Sequence, residues 1–586
     1  MEEEHLHRLD SSSYPRDVRG ALATLLAVSC KRMRNTPGMQ APESVDHHNA
    51  FYRALVSQVL MALRITDVDE KKRVMDVLLS DDDNLECARS CASQLDEDKR
   101  PVAFAAVLCA CVSGQTNHGA GMNDDGETRE FLLKRNYDAR ARLALQELAH
   151  ILKITDGQMA SAECALAGLT REKPRSATDE EMSTASTEDS FSLARMKRLA
   201  IVGSSAVLAG AAFAATAGVL VAPTLAAGLA SISGAITAAA PASHAAAVAA
   251  SAAAAAGSSA GTAAVSGAAA AYGGSVAGFR TSNLVDDVDH FQFVRVHNVV
   301  RLDGARFARL AVTVGVVGWL PFNASQDDIK LAFRKPFETA RHDDSEVVAL
   351  EWESEELATL SNSLWKFARS QVFSQVIQEV GTHTVLAGVV SAAALPSSMA
   401  SALGVIDNPM HLVMNRSIEA GRLLAKSLAN GVHGDRPVTF VAFGMGARLV
   451  FQALLELGRL PNDDGLGIVQ NVLLVGAMVD TNTEKWNIAR RVTAGRLVNA
   501  YSKEDVTLSL GYRTASVTTS VAGLKGIRDV KGVENVDLTR FVADAMSTAG
   551  FGSEWLSQSA YARLMPEIMD LTGFSASSLS SSPVCM

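Results

Sequence analysis

One stretch of the sequence, PVTFVAFGMGARLVFQ at residues 437–452, has the pattern of a catalytic turn. An apolar run followed by glycines and an amphipathic segment predicts a buried strand, a sharp turn and a helix. Serine hydrolases carry their nucleophile in this context, at the centre of G-x-S-x-G. Here Gly444 stands where that motif has serine, and Ala442 replaces its first glycine. The sequence therefore predicts the turn without the nucleophile.

The other members of a catalytic triad are only partly present. Asp505 follows an apolar run at 495–502, where a triad carboxylate would be expected. A loop acid or helix cap is an equally good interpretation of Asp505. The general base should be a histidine after the acid, but the last histidine of the chain is His433. The sequence thus predicts a carboxylate with neither nucleophile nor base.

Other residues of catalytic type lie in less suitable contexts. The literal G-x-S-x-G string at 257–261, centred on Ser259, lies in an Ala-rich run with no strand before it. A motif outside its structural context carries little weight. His383 and His411 are expected to be ordinary surface or core residues of helices.

The elements around the turn predict the fold of the C-terminal part. Short, nearly continuous apolar runs alternate with helical stretches from residue 290 onward, which is typical of a parallel sheet covered by helices on both faces. We therefore expect an α/β domain at 290–575. Its strands are predicted within residues 309–320, 346–352, 437–443, 469–478, 495–502 and 532–538.

A long uncharged segment precedes this domain. From Leu199 to Phe279 there is no Asp, Glu, Lys or Arg, whereas a membrane span needs about 20 apolar residues. We expect a transmembrane segment at 195–280, forming a helical hairpin that breaks at Pro223; the alternative is an Ala-rich helical layer in a soluble protein. Basic residues precede it and acidic residues follow it, which predicts a cytosolic N-terminal flank. An even number of spans would place both large domains in the cytosol.

The remaining regions complete the predicted organisation. Residues 15–170 are rich in helix formers and predict a helical domain, and the polar stretch 171–194 predicts a disordered linker.

The net charge of -10 gives no reason to expect a nucleic-acid partner. The seven cysteines are scattered and none is grouped with histidine as a zinc site requires, so reduced thiols are expected, with no metal and no cofactor.

The order of these parts resembles the transmembrane and coiled-coil domain-containing protein 4 family. The resemblance rests on RPVTFVAFGMGARLVFQALLEL, NVLLVGAMV, AGRLVNAYSKEDV and VKGVENVDL. It implies a membrane protein with a C-terminal α/β-hydrolase-like domain. The family's turn is similar to Gly-Phe/Tyr-Ser-Leu/Met-Gly-Ala-Arg, which falls on residues 442–448 and puts the serine position at Gly444. The family's acid falls on Asp505 and its histidine near Gln558.

Three functions remain open at the level of sequence. The first is a membrane-anchored pseudo-hydrolase that binds a lipid or acyl ligand, or a protein, at an oxyanion-hole-like pocket formed by Gly318, Trp319, Leu320 and the backbone N–H of Met445. The second is an active lipase or esterase with an unusual nucleophile, such as Ser502 beside Asp505, and a base from His383 or His411. The third is a structural membrane adaptor with a vestigial pocket. The lipid bilayer is a partner in all three.

Overall fold

The structure is a computed structural model. It describes residues 15–35, 45–80, 85–112, 137–169, 290–296, 310–338, 345–369, 397–431, 433, 436–505, 508, 520–548 and 557–574. The predicted linker at 171–194 and the predicted membrane segment at 195–280 lie outside these residues, as does Ser259. Within the described part, no helix combines the length and apolar content that a membrane span requires.

The N-terminal part of the described chain is helical. We name it the helical unit; its helices are α1 (Arg16–Asn35), α2 (Val45–Ala62), α3 (Val68–Leu79), α4 (Leu85–Ser93), α5 (Arg100–Val112), α6 (Ala139–Ile151) and α7 (Asp156–Leu169). Capping side chains fix two of the helix starts. Asp67 accepts hydrogen bonds from two backbone N–H groups at the start of α3, and Asp138 accepts one from Arg140 at the start of α6. The helices enclose a hydrophobic core of their own.

The C-terminal part contains a sheet of seven strands. These are β1 (Phe291–Arg295), β2 (Val312–Val316), β3 (Glu346–Trp352), β4 (Val438–Phe443), β5 (Val469–Val475), β6 (Leu497–Tyr501) and β7 (Val533–Asp537). The six apolar runs of the sequence each contain one strand, β2 to β7. No apolar run predicts β1, because it is an edge strand whose residues, FQFVR, do not form a continuous apolar run.

The strands follow the order β1-β3-β2-β4-β5-β6-β7. All neighbouring pairs are parallel except β1 and β3, which pair antiparallel with Phe291 opposite Trp352. The domain is therefore α/β with a mostly parallel sheet, and this order is consistent with a hydrolase-like domain. We call the edge where the parallel strands end the carboxyl edge, and the opposite one the amino edge.

Helices connect the strands. Those between strands are α8 (Gln326–Arg334), α9 (Ser354–Ala368), α10 (Ser397–Ala429), α11 (Met445–Gly458) and α12 (Thr483–Val492), whereas α13 (Thr539–Thr548) and α14 (Ser557–Leu571) follow β7. The central strands β4 and β5 are buried along nearly their whole length, as expected for strands covered on both faces. In open α/β sheets, ligand sites lie at the carboxyl edge.

The helical unit packs against the amino edge of the sheet. The backbone N–H of Ala139 donates to the carbonyl of Gly467 at 2.9 Å, two residues before β5 begins. The Arg142 guanidinium donates to the Gln470 side chain of β5, also at 2.9 Å. Gly467 has φ +79°, and a Cβ there would overlap the Asp138 carboxylate, so this close approach requires glycine. The amino edge near β5 is therefore covered by α6.

Candidate functional site

The turn between β4 and α11, which we call the elbow (residues 442–448), has the backbone of a nucleophile turn. Gly444 stands at its apex with φ 58° and ψ -124°, a conformation that side-chain-bearing residues rarely adopt. Its N–H donates to the Val475 carbonyl at the end of β5, at 3.0 Å. The strand, sharp turn and helix predicted by the sequence are all present, and the apex carries no side chain.

Two glycines let the neighbouring backbone come close to the elbow. A Cβ at Gly318, just after β2, would overlap the Phe443 carbonyl oxygen and the Met445 nitrogen. A Cβ at Gly446 would overlap the carbonyl oxygen of Val316. The first turn of α11 therefore lies directly against the end of β2. This contact brings together Gly318 and Met445, which the sequence placed in one oxyanion-hole-like group.

The N–H groups of these residues differ in whether they already have a hydrogen-bond partner. The first N–H groups of a helix have no partner within it, and Met445 is the first residue of α11. Leu320 is different, because its N–H donates to the Ser361 hydroxyl at 3.1 Å. The buried indole nitrogen of Trp319 has no hydrogen-bond partner among the residues that the structure describes. The available donors are thus concentrated on Met445 and Trp319 rather than on Leu320.

Asp505 lies beyond the end of β6, at the same edge of the sheet as the elbow. It is completely buried. One carboxylate oxygen accepts the N–H of Leu508 at 2.9 Å, and the other accepts the hydroxyl of Tyr561 at 3.1 Å. Because β4 and β6 are separated by one strand, the two strand ends lie about 10 Å apart. A buried carboxylate therefore lies at the same edge as the elbow, with a phenol as one of its hydrogen-bond donors.

Tyr561 is the functional neighbour that sequence reasoning missed. Burial raises the pKa of its phenol well above the usual value, and the nearby Asp505 carboxylate raises it further. The phenol therefore stays protonated and donates to Asp505. No local pattern in the sequence marks Tyr561, because its contact with Asp505 joins residues 56 positions apart. A tyrosine with this pKa does not act as a general base near neutral pH.

The other sequence candidates fall in separate places. Gln558 lies in the first turn of α14, three residues before Tyr561, and its side chain is outside the described part. Ser502 is buried and its hydroxyl bonds to Tyr561. His411 is exposed on α10, and His383 lies outside the described residues. The pairing of Ser502 with either histidine stays a prediction.

A second buried acid, Glu353, follows β3 at the carboxyl edge. It has φ 39°, which is uncommon for a residue with a side chain, and it is completely buried. Its carboxylate accepts the backbone N–H of His290 at 3.3 Å and lies 3.6 Å from the Arg416 guanidinium of α10. Glu353 thus connects three elements at this edge: the end of β3, the start of β1 and α10.

In the described part of the chain, no three His, Cys, Asp or Glu side chains are grouped as metal ligands would be. Five cysteines are free thiols: Cys30, Cys87, Cys91, Cys109 and Cys111. Burial raises the pKa of the Cys109 thiol to about 12, which keeps it protonated. Cys109 therefore lacks the thiolate that a reactive cysteine needs.

Relatives of this chain include membrane proteins and one named as a lipase. A rice protein (Oryza sativa subsp. japonica) named transmembrane and coiled-coil domain-containing protein STS1 is 33% identical over 440 residues, which are 75% of this chain and 62% of the rice protein. An uncharacterized membrane protein of Caenorhabditis elegans is 27% identical over 71% of this chain and 62% of its own length. The chain therefore spans less than two thirds of either relative.

A third relative comes from Saccharomyces cerevisiae and is named "Probable lipase MIL1". It is 32% identical over 262 residues, which are 44% of this chain and 23% of the yeast protein. No solved structure matches the chain. A family model described as "Protein of unknown function (DUF726)" matches residues 194–550, which is more than half of the chain. The protein therefore belongs to the DUF726 family.

Proposed function

We propose that this protein is a membrane-anchored protein with an α/β-hydrolase-like domain that binds a lipid or acyl ligand without hydrolysing it. The proposal rests on Gly444. The apex of the elbow has the backbone conformation of a nucleophile turn, but glycine has no side chain that could attack a carbonyl carbon. Gln558 at the histidine position removes the base as well. Without nucleophile and base, Asp505 has no proton relay to orient.

Membrane anchoring is supported by sequence and relatives. The uncharged run from Leu199 to Phe279 is long enough for more than one span, and two relatives are named as transmembrane or membrane proteins. We propose the transmembrane and coiled-coil domain-containing protein 4 group as the branch to which the chain belongs. Both large domains are proposed to face the cytosol.

The ligand class follows from the donors at the site. Met445 at the start of α11 supplies a backbone N–H and the positive end of a helix dipole, both of which favour a negatively charged or strongly polar oxygen. The surroundings are apolar, since Phe443, Trp319 and Leu320 are all buried. A carboxylate or ester carbonyl joined to an acyl chain combines these two properties.

A working lipase or esterase is the second candidate. It is favoured by the yeast relative named as a lipase and by the burial of Asp505 with donors on both oxygens. Its nucleophile would be Ser502 and its base His411 or His383. The third candidate, a structural adaptor with a vestigial pocket, predicts neither turnover nor ligand binding.

The test uses the full chain purified in detergent. We expect no hydrolysis of acyl esters or phospholipids above that of Asp505→Asn, a variant that keeps the size of the side chain. We also expect that a fatty acid with a photoreactive diazirine will label peptides around residues 318–320 and 445, and that unlabelled oleate will compete.

The outcomes separate the three candidates. Turnover that Asp505→Asn abolishes would establish the lipase and overturn the binding proposal. Labelling that oleate does not reduce, or that lies away from the elbow, together with no turnover, would favour the adaptor. Competed labelling at the elbow without turnover is the result that the binding proposal requires.

A further inference from the structure

The loop that follows β2, residues 317–320, is fixed at both ends by side chains from outside it. The buried indole N–H of Trp352, the last residue of β3, donates to the Val317 carbonyl at 2.9 Å. The hydroxyl of Ser361 on α9, which is also buried, accepts the Leu320 N–H at 3.1 Å. Neither hydrogen bond involves a ligand. The loop is therefore held in position by the protein alone, which lowers the cost of binding.

Several backbone acceptors around the elbow already have a donor. The Val317 carbonyl is one of them. On the other side of the elbow, the Val475 carbonyl accepts the Gly444 N–H at 3.0 Å, and the Met478 carbonyl accepts the Arg448 guanidinium at 3.0 Å. Gly444 has no side chain that could add an acceptor. A ligand that brings its own N–H or O–H group would therefore meet carbonyls that already accept a hydrogen bond.

The donors at the elbow are in the opposite situation. Within the described part of the chain, no side chain caps the start of α11, and its first turn contains no Asp or Glu. The Met445 N–H and the positive end of the helix dipole thus receive no negative partner from a cap. The buried indole N–H of Trp319 also lacks a partner among the described residues. Trp319 follows Gly318, where a Cβ would overlap the Met445 nitrogen, so the two donors belong to segments in direct contact.

A site with unused donors and engaged acceptors favours a polar group that only accepts hydrogen bonds. An alcohol, an amide or a protonated acid brings a donor, and burying that donor without an acceptor is unfavourable. An ester brings no donor, but it is neutral. Hydrogen bonds to an ionised acceptor are roughly twice as strong as those between neutral groups, and the start of a helix favours negative charge. A carboxylate anion satisfies all of these conditions.

We infer that the acyl ligand of the candidate site is a fatty acid in its carboxylate form, held by the Met445 N–H and the Trp319 indole, and not an ester, amide or alcohol. Asp505 does not compete for these donors, because its two oxygens accept from Leu508 and Tyr561. The inference rests on the binding function proposed above and narrows its ligand class.

The experiment compares competitors that share one acyl chain. The full chain in detergent is labelled with the photoreactive diazirine fatty acid at neutral pH, in the presence of oleate, methyl oleate, oleyl alcohol or oleamide. We expect oleate to reduce labelling around residues 318–320 and 445 at a concentration roughly tenfold lower than any of the other three requires.

Two tryptophan variants test the donor. Trp319→Phe keeps an aromatic ring and removes the N–H, and we expect it to reduce the advantage of oleate over methyl oleate about fivefold. Trp486→Phe is the matched control, because this buried tryptophan of α12 donates to the Asp480 carbonyl at 2.9 Å, within its own part of the fold. It should leave the ratio of the two competitors unchanged. This ratio does not depend on the fraction of folded protein, so a change in it reports recognition of the ligand.

The outcomes separate this inference from the binding function. Labelling at the elbow that methyl oleate, oleyl alcohol or oleamide reduces as well as oleate does would overturn the inference and leave the binding function in place. Absence of competed labelling would overturn both. An equal ratio in Trp319→Phe and the unmodified chain would overturn the role of the indole. Selection of oleate that Trp319→Phe weakens and Trp486→Phe preserves is the result that the inference requires.

Discussion

The two edges of the sheet use polar side chains in opposite ways. At the amino edge, polar groups are densely paired: Arg142 contacts Glu163 through two hydrogen bonds and Gln470 through a third, and Tyr137 also donates to Glu163. At the carboxyl edge, the elbow has the backbone of a nucleophile turn with no side chain at its apex, and Asp505 is buried with a hydrogen-bond donor on each oxygen. The difference teaches that close backbone packing, here of Gly318 against Phe443 and Met445, can maintain a sharp turn without any side chain at its apex.

Removing Arg142 should have the largest effect of the changes considered. Glu163 is 1% exposed, and without Arg142 it would be a buried charge whose remaining partner among the described residues is the Tyr137 hydroxyl. Breaking such a buried pair costs about 3–5 kcal/mol. We expect Arg142→Ala to lower the free energy of unfolding by this amount in chemical denaturation of the full chain.

The matched control is Arg459→Ala. Arg459 pairs with Glu456 at 3.1 Å on an exposed surface, where ion pairs contribute roughly 0–1 kcal/mol. Equal effects of the two variants would show that the amino edge is not the buried interface described above.

Gly318 should give the second largest effect, now at the carboxyl edge. Gly318→Ala places a Cβ against backbone atoms of Phe443 and Met445. Backbone atoms cannot move aside as the end of a flexible side chain could. We expect a loss of about 2–3 kcal/mol, the cost of overpacking. Gly157→Ala is the control, because a Cβ there meets nothing within 4 Å. It should stabilise the protein by about 0.4–1 kcal/mol. Effects of the same sign would contradict the close packing of β2 against the elbow.

The amino edge should also weaken in acid. His47 accepts a hydrogen bond from Arg140 at 3.1 Å, which requires the neutral imidazole. His48 beside it is buried, and burial lowers its pKa from 6.5 to about 3, with Arg140, His47 and Arg490 adding to the decrease and Asp138 opposing it. The unfolded chain therefore binds a proton at His48 below pH 6.5 that the folded chain does not. Stability should fall as the pH drops from 6.5 towards 3, by about 2 kcal/mol at pH 5.

The measurement compares unfolding at pH 7.5 and pH 5 for three chains. His48→Gln should lose less stability between these values than the unmodified protein, because its side chain does not titrate. Substitution of the exposed His150 by Gln is the control and should leave the pH dependence as it was. An unchanged pH dependence in His48→Gln would mean that the titration of His48 does not cause the loss of stability at low pH.

Much of the carboxyl edge could be predicted from the sequence, because strands buried on both faces leave continuous apolar runs and a tight turn needs glycine. The elbow, the six parallel strands and the position of Asp505 after β6 all follow from such local patterns. Tyr561 and Glu353 could not be found in this way. Their roles arise from contacts between residues far apart in the chain, such as Tyr561 with Asp505, and from a left-handed backbone at Glu353 that its residue type does not indicate.

The smallest change in stability concerns Gly444, where a serine tests the elbow itself. Gly444→Ser must adopt φ 58° with a side chain, which costs about 1–2 kcal/mol. We expect no esterase activity and no fluorophosphonate labelling, because a serine without a general base remains a poor nucleophile. Gly444→Ser combined with Gln558→His should be required for either signal. Turnover by Gly444→Ser alone would show that a general base already reaches the elbow. The carboxyl edge would then hold a catalytic base in addition to the Asp505 carboxylate.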